Sequence, residues 1–241
     1  MIELKGLSVV YPDKTRAVDQ VDLLIRPGEN VALIGGNGAG KTSLIMAIMG
    51  IVAAQGDILV DGTRLDQRTL SDIRTRIGVV FQNPDDQLFM PTIDADIAFG
   101  LRNMGMDETA IGPCIERCLS RLDILHLHGR TALKLSGGEK RMAALATVLV
   151  MEPSTMIFDE PTAFLDHRAR RKLIQILNGL GQTKLIATHD LTFAVETCQR
   201  AIVLKNGRIF ADGPVSELLY SDKLMESCGM EAIRHDFGGS R

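Results

Sequence analysis

A glycine-rich loop that ends in a lysine and a threonine lies between two apolar runs, residues 31–34 and 44–49. Glycines let a backbone wrap round a phosphate chain, so that successive N–H groups and a helix N-terminus point at the phosphates. Lys41 can then reach the β- and γ-phosphates, and the Thr42 hydroxyl can bind the Mg²⁺ that bridges them. This pattern predicts that the chain binds a nucleoside triphosphate. The residues expected to contact it in this segment are Gly35, Gly36, Asn37, Gly38, Ala39, Gly40, Lys41, Thr42 and Ser43.

Two adjacent carboxylates follow an apolar run in the second half of the chain. Asp159 and Glu160 come directly after Met156-Ile157-Phe158. Adjacent charges at the end of a buried strand are costly unless they are used. We expect Asp159 to hold Mg²⁺, directly or through water, and Glu160 to orient and polarise an attacking water. A strand followed by a charged turn is the alternative, and the phosphate loop upstream favours the catalytic interpretation.

A second glycine motif precedes an apolar helical run, residues 140–151. Its sequence is Leu135-Ser136-Gly137-Gly138-Glu139. A serine and two glycines at a helix N-terminus form an anion site, and Glu139 suits the positive end of the helix dipole. Taken alone, such a segment is more often a helix-capping loop.

The elements that carry these motifs alternate between strands and helices. Four apolar runs read as parallel strands buried on both faces: residues 30–34, 77–81, 155–159 and 184–188. Further strands are expected before and among them, at residues 2–10, 18–25 and 57–60. A hairpin is expected where residues 201–204 and 208–211 flank Asn206-Gly207.

A helical insertion is expected between residue 84 and about residue 135. Apolar side chains recur there at helical spacing, at Ile111, Ile115, Cys118 and Leu122. The predicted organisation is one domain over residues 1–220, with a helical subdomain at about 84–150 inserted in an α/β core. The tail, residues 221–241, matches nothing specific, and its end from residue 236 is expected to be disordered.

Composition narrows the class of protein. The chain has 241 residues and a net charge of −3 with 24% charged residues, which gives no indication of a nucleic-acid partner. It starts without the apolar core of a signal peptide, and its apolar runs are shorter than the roughly 20 residues that span a bilayer. We expect a soluble intracellular protein. Cys114 and Cys118 lie one helical turn apart, but without further ligands at zinc-site spacing they are expected in the core.

The segment from Leu135 to Glu139, upstream of the Asp159-Glu160 pair, resembles the signature of ATP-binding-cassette (ABC) ATPases. The resemblance covers residues 2 to about 219. It implies an α/β nucleotide-binding domain with a P-loop (RecA-like) parallel-sheet core, an N-terminal antiparallel β subdomain and an inserted α-helical subdomain. It also implies that two such chains face head to tail, so that the signature of one, Ser136 to Gly138, closes over the ATP of the other.

Further residues match the family's motifs one by one. Tyr11 matches the aromatic residue that stacks on adenine, and Gln82 the glutamine that contacts Mg²⁺ and water and faces a membrane partner. Asp166 ends a segment that matches the D-loop, where Ala163 replaces a serine common in relatives, so no hydroxyl contact across a dimer is assumed. His189 matches the switch histidine at the γ-phosphate. The resemblance implies that Glu160, His189 and Gln82 are catalytic, and that Thr42, Gln82 and Asp159 bind Mg²⁺.

The subfamily is indicated by residues 81–89, together with Pro91-Thr92 and residues 96–100. They resemble the ATPases of energy-coupling-factor (ECF) importers, and most closely the cobalt and nickel branch, with the vitamin branch as the alternative. The implied partners are a second ABC ATPase subunit, identical or paralogous, and membrane scaffold and substrate-binding subunits that dock near Gln82, Asp85 and Asp86. The implied location is the cytoplasmic face of the cell membrane. A soluble, non-transport ABC ATPase is the remaining alternative.

Overall fold

The computed structural model describes residues 1–234. The strands within this range are β1 (Ile2–Val10), β2 (Arg16–Ile25), β3 (Asn30–Ile34), β4 (Gln55–Val60), β5 (Thr63–Arg64), β6 (Ile77–Val80), β7 (Thr155–Asp159), β8 (Thr183–Thr188), β9 (Arg200–Lys205) and β10 (Arg208–Pro214). The α-helices are α1 (Lys41–Ile48), α2 (Leu70–Arg76), α3 (Ile93–Asn103), α4 (Glu108–Arg121), α5 (Gly137–Leu149), α6 (His167–Gly179), α7 (Leu191–Thr197), α8 (Val215–Leu218) and α9 (Asp222–Ser227).

The chain forms two compact units. Among the described residues, the first contains Met1–Leu70 and residues 183–234, and the second contains Ser71–Gln182. The predicted extent of the helical subdomain, residues 84–150, stays a prediction.

The first unit contains two sets of paired strands. In one, the strands lie in the order β2-β1-β4-β5 and every pair is antiparallel. In the other, β10, β9, β3 and β8 are neighbours in that order, and β3 is parallel to both β8 and β9. All residues of β8 and the last four of β3 are buried, as the continuous apolar runs indicate. The predicted hairpin joins β9 to β10, with positive φ at Asn206 (50°) and Gly207 (76°).

The second unit combines the parallel pair β6 and β7 with packed helices. Ile77 pairs with Thr155 and Val80 with Phe158. The helices α3, α4 and α5 pack against one another. The apolar side chains that predicted a helix lie buried along α4 and at its end (Ile111, Ile115, Cys118 and Leu122). A helical insertion between the two strands is therefore present, as the periodicity indicates.

Several element boundaries differ from the sequence-based expectation by one to three residues, and two of these differences have a clear local reason. The strand β6 ends at Val80 rather than residue 81, since the Phe81 N–H donates to the Gln87 side chain (3.2 Å) and not to a strand. The helix α5 begins at Gly137 rather than residue 140, because Ser136 caps it. The tail contains α9, whose Met225 is fully buried. The predicted disorder from residue 236 onward lies outside the described residues.

Candidate functional site

The glycine-rich loop connects β3 to α1 in the first unit. Gly38 and Gly40 have φ angles of 76° and 105°, which L side chains rarely adopt. A Cβ atom on Gly40 would lie 2.2 Å from the carbonyl oxygen of Ala17, so only glycine fits there. Gly40 caps α1 without a side-chain hydrogen bond, which leaves the N–H groups of the first turn to the loop interior. This is the geometry of an anion site at a helix N-terminus.

Lys41 turns its ammonium group back onto the loop. The side chain is 8% exposed, and Nζ donates to the Gly35 carbonyl at 2.6 Å and to the Gly36 carbonyl at 3.4 Å. The neighbouring Thr42 is exposed. A cation held inside a loop of backbone N–H groups suits a polyphosphate, and it agrees with the predicted role of Lys41.

Tyr11 lies beside the start of α1. Its hydroxyl oxygen is 3.1 Å from Ser43 Oγ, and the ring is half-buried. The Tyr11 carbonyl accepts from Lys14 N–H at 2.9 Å, which closes the turn between β1 and β2. Tyr11 is thus close to the helix whose N-terminus forms the anion site, and its stacking on adenine stays a prediction.

His189 follows β8 at the same sheet edge. Ile34, the last residue of β3, pairs with Thr188, the last residue of β8, so the phosphate loop and His189 leave neighbouring parallel strands together. The His189 side chain is exposed. The next residue, Asp190, caps α7 by accepting from Phe193 N–H at 2.8 Å, which holds the turn that carries His189.

The carboxylate pair lies at the end of β7 in the second unit. Asp159 and Glu160 are only 6% and 8% exposed. Glu160 has a φ of 45°, an unfavourable conformation for a residue with a side chain and one that often accompanies function. Because β6 and β7 are parallel, with Val80 opposite Phe158, the loop that holds Gln82 begins at the same edge. Gln82 itself is exposed.

The predicted Mg²⁺ ligands form a chemically consistent set. Thr42, Gln82 and Asp159 offer hydroxyl, amide and carboxylate oxygens, which are the donors that Mg²⁺ prefers. By contrast, no group of three or more His, Cys, Asp or Glu side chains within residues 1–234 could hold a metal ion by itself. Cys118 is buried, and this burial raises the pKa of its thiol to about 11, as expected for a core cysteine.

The second glycine motif caps α5 in a reciprocal arrangement. The Ser136 hydroxyl accepts from Glu139 N–H (3.3 Å), while the Glu139 carboxylate accepts from Ser136 N–H (2.8 Å) and from its hydroxyl (2.7 Å). These bonds to Ser136 lower the pKa of Glu139. A Cβ on Gly138 would lie 3.0 Å from Ala169 Cβ, so this glycine allows α6 to approach closely.

A cavity of about 570 Å³ opens beside this motif. Ser136, Gly137 and Gly138 line it together with Phe164 and Asp166 of the predicted D-loop. Asp166 caps α6 by accepting from Ala169 N–H at 2.7 Å. The structure therefore brings the predicted signature and D-loop together around one concave surface within the second unit.

The acidic turn after Gln82 receives a counter-charge from a distant part of the chain. Asp85 and Asp86 have no basic residue nearby along the chain. Lys140 Nζ nevertheless lies 2.6 Å from Asp85 Oδ1, because α5 brings a distant lysine to the turn. Asp86 is exposed, and no salt bridge to it is seen within residues 1–234.

Arg141 is a residue that the sequence motifs did not single out. Its side chain is 1% exposed and donates to the carbonyl oxygens of Phe81 and Gln82, both at 2.5 Å. In the sequence, Arg141 is only a charged residue directly before the apolar residues of α5. Hydrophobic periodicity does not tell whether such a residue is buried or exposed to solvent.

Comparison with known proteins places this site in a family. The family model described as "ABC transporter" matches residues 18–163, more than half of the chain. A putative ABC transporter ATP-binding protein of Geobacter sulfurreducens is 41% identical over 96% of this chain and 93% of its own length. The energy-coupling factor transporter ATP-binding protein EcfA of Carboxydothermus hydrogenoformans is 38% identical over 96% of this chain and 87% of its own.

Two solved structures extend the likeness to the fold. The cbiO1 protein of Clostridium perfringens, part of the ABC transporter complex cbiONQ, superimposes with a TM-score of 0.82 at 35% identity, over 94% of this chain and 93% of that one. A dimeric ATP-binding cassette in a post-hydrolysis state with ADP and phosphate superimposes with a TM-score of 0.80 at 26% identity, over 89% and 99%. No helix within residues 1–234 is both long and apolar enough to cross a membrane.

These matches confirm the resemblance and the fold class, while the roles of individual residues stay predictions. The phosphate loop, the capped glycine motif and the carboxylate pair all belong to one recognised architecture. The chain is a member of the ABC transporter family: an ATP-binding ABC ATPase domain with the nucleotide-binding-domain fold.

Proposed function

We propose that this protein is the ATP-hydrolysing subunit of an ECF-type ABC importer, bound through partner subunits to the cytoplasmic face of the cell membrane. The observation that carries the proposal is a phosphate loop with Lys41 in its interior, on a chain that also has a capped glycine motif at Ser136. Similarity to an EcfA protein at 38% identity over 96% of the chain supports the ECF assignment.

In the proposed mechanism, different residues bind the nucleotide, hold the metal ion and activate the attacking water. The N–H groups of residues 35–43 and the Lys41 ammonium bind the triphosphate, and Tyr11 stacks on the adenine. Thr42, Gln82 and Asp159 would hold Mg²⁺, which would neutralise negative charge on the triphosphate. Glu160 orients the attacking water and accepts its proton, and His189 donates to the γ-phosphate where negative charge develops.

Two chains work together. The motif at Ser136, Gly137 and Gly138 is a second anion site on a chain that already has a phosphate loop, and its cavity of about 570 Å³ is open to a ligand. We propose that it binds the ATP held by a second ABC subunit, identical or paralogous, with Asp166 at the same interface. A dimeric neighbour with ADP and phosphate supports this assembly.

The membrane subunits dock at the turn that contains Gln82, Asp85 and Asp86. Exposed carboxylates suit basic residues on a membrane scaffold, and the Asp86 carboxylate is the more available of the two. The transported substrate is cobalt or nickel, as the sequence of residues 87–92 favours, with a vitamin as the second candidate. A substrate-binding membrane subunit, not this chain, contacts it. No nucleic-acid partner is proposed.

Isolation of the protein from membranes of its native cell tests this proposal. We expect it to co-purify with a membrane scaffold and a small substrate-binding membrane protein, and deletion of the chain to abolish uptake of radioactive Co²⁺ or Ni²⁺. Loss of vitamin uptake with intact metal uptake would select the second substrate. Recovery only in the soluble fraction, without membrane proteins, would contradict a transport role.

A further inference from the structure

Arg141 is one of the largest fully buried side chains in the described part of the chain, with 1% of its surface exposed. Its partners are two consecutive carbonyl oxygens, those of Phe81 and Gln82, at 2.5 Å each. Burial lowers the pKa of the guanidinium to about 10, and the negative charge of Asp159 acts in the opposite direction. The cation is therefore bonded to the backbone of the Gln82 loop and also interacts electrostatically with Asp159, the proposed Mg²⁺ ligand.

A buried guanidinium is an expensive way to hold a loop. Its solvation is lost, and Nε has no hydrogen-bond partner among residues 1–234. An apolar residue of the same volume would fill the space without that penalty. The planar group does one thing that an apolar side chain cannot: it fixes two adjacent carbonyls, and thereby the two peptide units on either side of the Gln82 Cα atom.

The rest of the loop is tied to the same helix. The Gln87 side chain accepts from Phe81 N–H (3.2 Å) and donates to the Ala144 carbonyl (2.7 Å). Lys140 pairs with Asp85 at 2.6 Å. Residues 81–87 therefore contact α5 at both ends, and Arg141 holds the end that bears Gln82. The helix itself begins at the Ser136 motif.

We propose that Arg141 is a positioning residue: it locks the backbone at Gln82 to α5, so that contact of the Ser136 motif with a nucleotide changes the placement of the Gln82 side chain. This inference rests on the proposed function of Gln82 and Ser136. A rigid helix with the signature at its start and the glutamine loop on its flank transmits displacement between the two. Arg141 contacts no substrate; it acts through Gln82.

Substitution of Arg141 by methionine separates positioning from structural support. Methionine keeps an apolar side chain of comparable length in the site and removes the buried charge, so the free energy of unfolding should change little. The purified full-length chain should retain its ATP affinity within about 3-fold, while kcat falls by roughly 10-fold or more with KM for ATP little changed. Arg141→Lys, which keeps the charge but loses the planar two-pronged geometry of the guanidinium, should give an intermediate kcat.

Hydrogen exchange supplies a readout independent of turnover. The amides of Asp86 and Gln87 donate within the loop, to Asn83 and Pro84 carbonyls at 3.1 and 3.0 Å. They should exchange about 10-fold faster in Arg141→Met than in the wild-type chain. Lys140→Gln is the matched control: it removes the neighbouring charge on α5 but no bond to the Gln82 peptide, so kcat should stay within about 2-fold.

The outcomes separate the two proposals. Wild-type kcat and loop exchange in a folded Arg141→Met variant would overturn the positioning role, and so would an equal loss of kcat in Lys140→Gln. If Arg141→Met does not fold, a folded Arg141→Lys variant with wild-type kcat and exchange overturns it as well. Absence of ATPase activity in the wild-type chain would contradict the proposed function instead, and the exchange rates would still decide whether Arg141 locks the loop.

Discussion

Ile34 and Thr188 are register partners at the ends of the parallel strands β3 and β8. The phosphate loop begins one residue after Ile34, and His189 comes one residue after Thr188. These two motifs are separated by about 150 residues along the chain. The register of the two strands nevertheless brings them to the same edge of the sheet. This relationship supports the proposed action of His189 on a phosphate held by the loop.

His189→Ala should therefore impair hydrolysis while leaving nucleotide binding in place. Loss of one donor at a developing charge typically lowers kcat by about 10²–10³-fold. ATP affinity, measured by calorimetry, should remain within a few-fold of wild type, because Lys41 and the loop amides are unchanged. His128→Ala, at an exposed histidine 3.3 Å from Asp94, is the control. Equal activity of the two variants would remove His189 from the mechanism.

Gly40→Ala should weaken ATP binding. The added Cβ would lie 2.2 Å from the Ala17 carbonyl oxygen at a φ of 105°, so the start of α1 must shift. Such strain is worth about 1–3 kcal/mol, and we expect at least a roughly 10-fold rise in the ATP dissociation constant. Gly62→Ala is the control. Gly62 also has a positive φ (78°), but a Cβ there would lie in open space, far from the phosphate loop in sequence, so ATP affinity should not change. A normal ATP affinity in both variants would show that the loop geometry at Gly40 is not required.

Asp86→Asn should weaken assembly with the membrane subunits more than Asp85→Asn does. Asp85 is already paired with Lys140 at 2.6 Å, whereas Asp86 is exposed and available to a basic partner. Loss of an ion pair that is desolvated in the interface would weaken the free energy of assembly by about 2–5 kcal/mol. Loss of a solvated contact at the rim would weaken it by about 1 kcal/mol or less. Co-purification of the membrane subunits with each variant measures this. Full recovery with the Asp85, Asp86 double variant would show that the turn is only a solvated surface.

Much of the fold follows from local patterns in the sequence. The bounds of β1, β3 and β7 agree with the apolar runs because buried strands leave apolar residues at most of their positions. The hairpin at Asn206-Gly207 was predictable because two consecutive positive φ angles require such residues.

Contacts between distant segments were not predictable in the same way. The Lys140–Asp85 pair joins residues 55 positions apart, and the carbonyl bonds of Arg141 span 59 and 60 positions. No local pattern encodes which turn a helix packs against, so the counter-charge on Asp85 and the burial of Arg141 emerge only from the packing. The positive φ of 45° at Glu160 was not predictable either. Residues with a side chain rarely adopt a positive φ, and nothing in the adjacent sequence indicates one here.

Glu160→Gln should stop turnover without preventing ATP binding. In the proposed mechanism the Glu160 side chain orients and deprotonates water but does not hold phosphate, so kcat should fall by at least about 10²-fold. ATP should then stabilise a dimer that persists, which size-exclusion chromatography with light scattering detects. Glu152→Gln, at another glutamate with a positive φ (50°), controls for removal of a carboxylate from such a backbone. Near wild-type turnover in Glu160→Gln would contradict its role as the base.

The head-to-tail arrangement of two chains is the central claim, and mixing two inactive variants tests it most directly. Chains with Lys41→Ala lack a working phosphate loop, and chains with Gly138→Asp lack a working signature. A mixed dimer contains one composite site with both elements intact, so ATPase activity should return, up to about half the wild-type turnover per mixed dimer. Two variants that are inactive alone and stay inactive in demonstrated mixed dimers would contradict the account.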